Sequence, residues 1–138
     1  MSTILIMGLP GSGKTNLAEK LASLLMSSNV TVNWYNADKV REHLDDWDFS
    51  YEGRFRQAHR MKNLADSSES VHTIIDMVAP LEEFREIINP DVLIWVDTIS
   101  SGRYPDTNIL FTPPKKYDIR IIDHNFDKWY EKILDLIY

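Results

Sequence analysis

Residues 8 to 15, Gly-Leu-Pro-Gly-Ser-Gly-Lys-Thr, fit the pattern G-x-x-x-x-G-K-[ST]. Glycines at 8, 11 and 13 allow the backbone to curl so that successive N–H groups point inward at an anion. An apolar run, Thr3-Ile4-Leu5-Ile6-Met7, comes before it, and a helical pattern carrying Leu17, Ala18, Leu21, Ala22, Leu24 and Leu25 follows. A loop between strand and helix aims the positive end of the helix dipole at the same anion. Lys14 is then expected to reach the β/γ-phosphates and the Thr15 hydroxyl to hold Mg²⁺. Gly8, Leu9, Pro10, Gly11, Ser12, Gly13, Lys14, Thr15 and Asn16 are the candidate triphosphate contacts. Asn16 also argues against a dinucleotide loop, which wants a third small residue at that point. The segment predicts binding of a nucleoside triphosphate, ATP, with Mg²⁺.

A second constellation, Asn36-Ala37-Asp38-Lys39-Val40-Arg41, follows the second strand-like run. Ligands in a doubly wound sheet sit beyond the carboxyl ends of the strands, so Asp38 is expected to face the γ-phosphate. There a carboxylate can orient or deprotonate an attacking hydroxyl and help hold Mg²⁺. Arg41, three residues on, suits bidentate binding of a phosphate or sulfate on the acceptor. Capping of a helix over 39–44 is a compatible second role for Asp38. Further on, Phe49 and Arg54 stand where a helix begins, with Arg56, His59, Arg60 and Lys62 along it. Arg56 and Lys62 read as solvated surface; for Phe49 and Arg54 a surface role and a binding role are equally open. Asp76 and Asp97 each close an apolar run, and either suits the strand-end carboxylate that supports Mg²⁺ through water or simply begins a turn. Asp76 is better placed if its strand neighbours the first. His59, His72 and His124 lack metal-ligand spacing, and the tryptophans read as packing.

Strands that would position these residues are expected at 3–7, 31–35, 72–76, 91–97 and 118–122. Helical stretches lie near 14–28, 37–46, 51–68 and 81–88. A last helix carries Phe126, Trp129, Tyr130, Ile133, Leu136 and Ile137 at helical spacing. Alternating strands and helices imply a mostly parallel sheet covered on both faces. Segment 98–116, rich in Ser, Gly, Pro and Thr, reads as an irregular loop and candidate lid.

With 138 residues, the whole of 1–138 reads as a single domain. The absence of cysteine excludes disulfides and thiolate metal sites and suits a reducing, cytoplasmic setting. No apolar run is long enough to span a bilayer. The net charge of −6 opposes long-range attraction to nucleic acid while leaving room for a local basic pocket.

Together these residues resemble the adenylyl-sulfate kinase family. That family carries G-L-x-G-S-G-K-[ST], then D-G-D-N-x-R, G-F-S-x-x-D-R, a helix with N-x-x-R, and an I-S-P turn. This chain has Gly8–Thr15, Asn36–Arg41, Asp48-Phe49-Ser50-Tyr51-Glu52-Gly53-Arg54 and Val78-Ala79-Pro80, with Arg85 following. The likeness covers about the first 90 residues. It implies a P-loop NTPase fold, a three-layer α/β/α sandwich with a five-stranded parallel sheet in the order 2-3-1-4-5. It also implies ATP-dependent phosphorylation of the 3′-hydroxyl of adenosine 5′-phosphosulfate, a small-molecule nucleotide substrate. By the resemblance Asp38 takes the place of the catalytic carboxylate, and Arg41, Phe49 and Arg54 match residues that grip the adenylyl-sulfate. The main chain around Val78, Ala79 and Pro80 would meet the same molecule, and the resemblance further implies a homodimer.

The chain also departs from the family. Asn36 and Ala37 replace Asp and Gly, Gln57 replaces the helix Asn, and the D-x-K-G-L-Y lid motif is missing after Asp97. Arg103 is the only basic residue between Asp97 and Lys115 and is the candidate lid cation, although an idle loop arginine fits as well. Two alternatives stay open: a kinase for nucleoside or polynucleotide hydroxyls, and a nucleotide-binding module without transferase activity.

Overall fold

The computed structural model describes every residue except Met1 and Arg103. Its elements in chain order are β1 (Ser2–Met7), α1 (Lys14–Ser27), β2 (Val32–Asn36), α2 (Ala37–Leu44) and α3 (Tyr51–Ser67). There follow β3 (His72–Asp76), α4 (Glu82–Ile88), β4 (Val92–Val96), α5 (Pro105–Leu110), β5 (Ile119–Ile121) and α6 (Asp127–Ile137). The five strands pair in parallel in the order β2-β3-β1-β4-β5. The expected fold class and strand order are both present.

Alternation along β1 divides the core. Ile4 and Ile6 face α1 and α6, packing with Leu17, Leu21, Leu25, Tyr130 and Ile133. Leu5 and Met7 face the opposite layer, with Met61, Ala65, Ile75 and Ile88. Side chains of this size contribute about 1.5–3 kcal/mol each when fully buried, so strands closed in on both sides read as nearly unbroken apolar runs.

The register sets the site. Asn36 stands opposite Asp76, and Asp76 opposite Ile6, so the ends of β2, β3 and β1 lie side by side at the edge where the glycine loop begins. Asp97, by contrast, follows β4 and binds Arg120 through its carboxylate at 2.6 Å. Of the two strand-end carboxylates, Asp76 is the one at the edge where the glycine loop begins.

Two expectations change. Segment 98–116 is not wholly irregular, because it contains α5, opened by Pro105 and burying only Thr107. A six-residue helix with one buried position has too few residues to show a period. The cap of α2 is Asn36, whose Oδ1 accepts from the Lys39 N–H at 3.0 Å. Asp38 sits inside the first turn and is not the cap.

Candidate active site

The glycine loop runs from β1 into α1 through left-handed backbone. Gly11 has φ 86° and Gly13 φ 105°, values that an L side chain rarely adopts. A Cβ at Gly13 would also lie 2.9 Å from the Phe126 ring, so α6 closes tightly behind the loop. Pro10, Gly11, Gly13, Lys14, Thr15 and Asn16 line a cavity of about 450 Å³. Gly8, Leu9 and Ser12 shape the loop from behind; Leu9 and Ser12 are buried. The Lys14 Nζ donates to the Leu9 carbonyl at 3.1 Å, which holds the ammonium against its own loop.

Across that cavity stand Asn36, Ala37, Asp38, Asp76, Met77 and Val78. The Thr15 hydroxyl donates to Asp76 Oδ2 at 2.9 Å, and Asn36 Nδ2 donates to the same oxygen at 2.8 Å. Burial pushes the Asp76 carboxyl above its usual range, opposed by these two hydrogen bonds and by the charge of Lys14. A hydroxyl and a carboxylate on one wall of a phosphate loop form a hard oxygen donor set that fits Mg²⁺, the remaining positions being open to phosphate oxygens and water. No group of three or more His, Cys, Asp or Glu that could hold a metal ion occurs among the described residues.

A second cavity of about 430 Å³ adjoins the first, lined by Pro10, Asp38, Trp47, Phe49, Arg54, Tyr104, Asp106 and Thr107. Asp38, Pro10 and Tyr104 belong to both. Asp38 is exposed and makes no hydrogen bond or ion pair with any described residue, so its carboxylate is available to a ligand in either cavity.

The arginines are held differently. Arg41 is 4% exposed and gives Nη1 to the carbonyls of Asp46 and Asp48, both at 3.1 Å. Arg54 gives Nε to the Phe49 carbonyl at 2.9 Å and Nη2 to the Thr107 hydroxyl at 3.1 Å. Their guanidinium carbons lie 4.5 and 5.4 Å from the centre of the Phe49 ring, so both cations support the ring. Outside them, Arg56 and Arg60 pair with Asp46, and Arg56 also with Asp48. Arg56 is thus a fastener of the 45–50 loop rather than idle surface. Gln57 donates to the Ala37 carbonyl at 2.9 Å, tying α3 to the start of α2.

Val78, Ala79 and Pro80 form the turn after β3, with Ala79 at φ 46°. Arg85, 2% exposed, binds this turn to the chain beyond α5, giving Nε to the Ala79 carbonyl and Nη2 to that of Thr112. Of the turn, only Val78 lines the phosphate cavity; Ala79 and Pro80 pack with Arg41 around a void of about 40 Å³. Arg103, the candidate lid cation, lies outside the described residues.

Residues on the second cavity that the pattern did not single out are Trp47, Tyr104, Asp106 and Thr107. Trp47 is half exposed, which corrects its reading as packing. Its setting between Asp46 and Asp48 was the available signal, since a tryptophan flanked by carboxylates is poorly suited to a core. A larger cleft of about 570 Å³ runs along β2 between α2 and α3. Size alone would select it, but no residue of the glycine loop lines it.

Comparison with known proteins shows the family and the fold. A family model described as adenylylsulphate kinase matches residues 1–95. The adenylyl-sulfate kinase of Chloroflexus aurantiacus is 38% identical over 80 residues, covering 57% of this chain and 42% of that protein. The chain thus spans less than half the length of the curated relatives it matches. Among solved structures, a Mycobacterium tuberculosis APS kinase in complex with AMPPNP and APS superposes with a TM-score of 0.81 at 20% identity, covering 99% of this chain and 96% of that one. A Sinorhizobium meliloti gluconokinase shares the fold at TM-score 0.68 and 11% identity, covering 99% and 91% of the two chains. Matched over more than half its length by that family model, with the glycine loop and the Asp38-x-x-Arg41 segment inside the matched part, the chain belongs to the adenylylsulphate kinase family.

Proposed function

We propose that this chain is an ATP-dependent kinase that phosphorylates the 3′-hydroxyl of adenosine 5′-phosphosulfate. The supporting observation is the position of Asp38 on the shared wall of two cavities, one lined by the phosphate loop and the other by aromatic rings. ATP would lie with its phosphates along Gly11, Gly13 and Lys14, and the acceptor would lie against Phe49 and Trp47. Thr15 would hold Mg²⁺ with Asp76 behind it, and the ion would supply neutralisation of charge on the phosphate oxygens. The Asp38 carboxylate would accept a hydrogen bond from the acceptor hydroxyl and take its proton. As that proton leaves, the oxygen–phosphorus bond forms and the bond to the ADP oxygen breaks. Lys14 would exchange its Leu9 carbonyl for phosphate oxygens, a short movement of a flexible side chain. Most of the rate in such a transfer comes from positioning and electrostatics.

A second reading has a specific observation behind it. Arg41 and Arg54 are engaged on the protein's own oxygens, and Asp106 adds a carboxylate to the acceptor cavity. Such a lining suits a nucleoside hydroxyl acceptor without a dianionic tail. Labelled ATP offered with adenylyl-sulfate, nucleosides and hydroxyl-ended oligonucleotides separates the two. Transfer to adenylyl-sulfate supports the first reading, and transfer to nucleosides alone replaces it with the second. ATP binding without transfer to any of them would leave a nucleotide-binding module.

A further inference from the structure

The amide of Asn36 joins three parts of the site. Its Oδ1 caps α2 through the Lys39 N–H at 3.0 Å, while Nδ2 donates to Asp76 Oδ2 at 2.8 Å and to Thr15 Oγ1 at 3.2 Å. The orientation of the amide follows from the Lys39 backbone N–H, which can only donate and so must face the amide oxygen, turning Nδ2 toward Asp76 and Thr15. Opposite Asp76 in the sheet register, position 36 is held within reach of that carboxylate.

From this we infer that Asn36 is a positioning residue that couples the metal-side pair Thr15–Asp76 to the helix bearing Asp38, and that with Asp76 facing it this chain needs an amide where the family pattern has a carboxylate. A carboxylate at 36 would cap α2 equally well. It would also place a second negative charge directly against Asp76, beside the bed of the nucleotide's phosphates. A serine would keep the cap but is too short to reach across to Asp76. The two duties of Asn36 are therefore separable by substitution.

The inference rests on reading this cavity as the nucleotide site, and the experiment keeps the two apart. ATP binding is measured by calorimetry on the full chain, once with Mg²⁺ and once with EDTA, for the parent, Asn36→Asp and Asn36→Ser. The Kd ratio, EDTA over Mg²⁺, is expected to rise about tenfold in Asn36→Asp, because the added charge repels metal-free phosphates most. In Asn36→Ser that ratio should stay at the parent value, while kcat falls about tenfold with little change in the KM for ATP. A parent protein that binds no ATP would overturn the nucleotide-site reading itself. A parent that binds, with an unchanged ratio in Asn36→Asp or an unchanged kcat in Asn36→Ser, would overturn the positioning role alone.

Discussion

The phosphate cavity and the acceptor cavity share Asp38 and are built by opposite means. The first is made of backbone: a left-handed glycine loop, a helix N-terminus and strand ends set in register. The second is made of side chains that are themselves fastened, Arg54 to the nearby Phe49 carbonyl and the distant Thr107 hydroxyl of α5, with Arg41 behind the Phe49 ring reaching carbonyls of the 45–50 loop. A backbone cradle tolerates little variation because a side chain has no room in it. A wall of fastened side chains can change its occupant by exchanging a few residues. That difference accounts for a chain that keeps its family's phosphate loop while departing from it in the lid.

Substitution at Lys14 should have the largest effect. Lys14→Ala is expected to lower turnover about 10³-fold by removing charge stabilisation from the transferring phosphoryl group. Steady-state rates with labelled ATP check this, and a small loss would mean the cradle does not carry the chemistry. Asp38→Asn comes next, with turnover falling about 10²-fold and ATP affinity by calorimetry changed by less than about twofold. Equal losses in binding and rate would place Asp38 in one cavity only.

Thr107→Val sharpens the contrast further, since it removes the oxygen that receives Arg54 and leaves a guanidinium N–H unpaired under α5. Denaturant unfolding should show a loss of about 1–3 kcal/mol, and the acceptor KM should rise while the KM for ATP stays put. The smallest effect concerns acid. Hydrogen bonds from Arg56 and Arg60 hold the Asp46 carboxyl far below its usual 3.8. Its stabilising contribution is therefore fully present above pH 3.8 and is lost as pH falls from there toward the lowered value. The Tm gap between the parent and Asp46→Asn should shrink between pH 5 and pH 2, with no such trend for ATP affinity near neutrality.

Much of the scaffold was legible from the chain. Apolar residues marked all five strands, most densely in β1, β3 and β4, which are covered on both faces. Edge strand β2 is partly buried and edge strand β5 alternates, with Arg120 exposed between two buried isoleucines. α5 was not legible, since its one buried residue, Thr107, sets no period. Nor could residue type reveal that Arg41 and Arg54 are spent on internal oxygens, because an arginine that grips a ligand and one that grips a carbonyl look alike in a sequence. Asp76 and Asp97 both fit by residue type, with Asp76 favoured by the expected strand order; the register sets Asp76 beside Thr15, and Arg120 takes up Asp97.

By itself the sequence determined the phosphate loop, because strand, turn and helix follow one another within a few residues and local backbone preference is enough to shape them. Only the tertiary structure decided what faces that loop. Thr15 meets Asp76 across 61 positions, Asn36 meets Asp76 across 40, and Arg54 meets Thr107 across 53. Contacts at such separations exist only once the parallel sheet has fixed its register and the helices have packed onto its two faces.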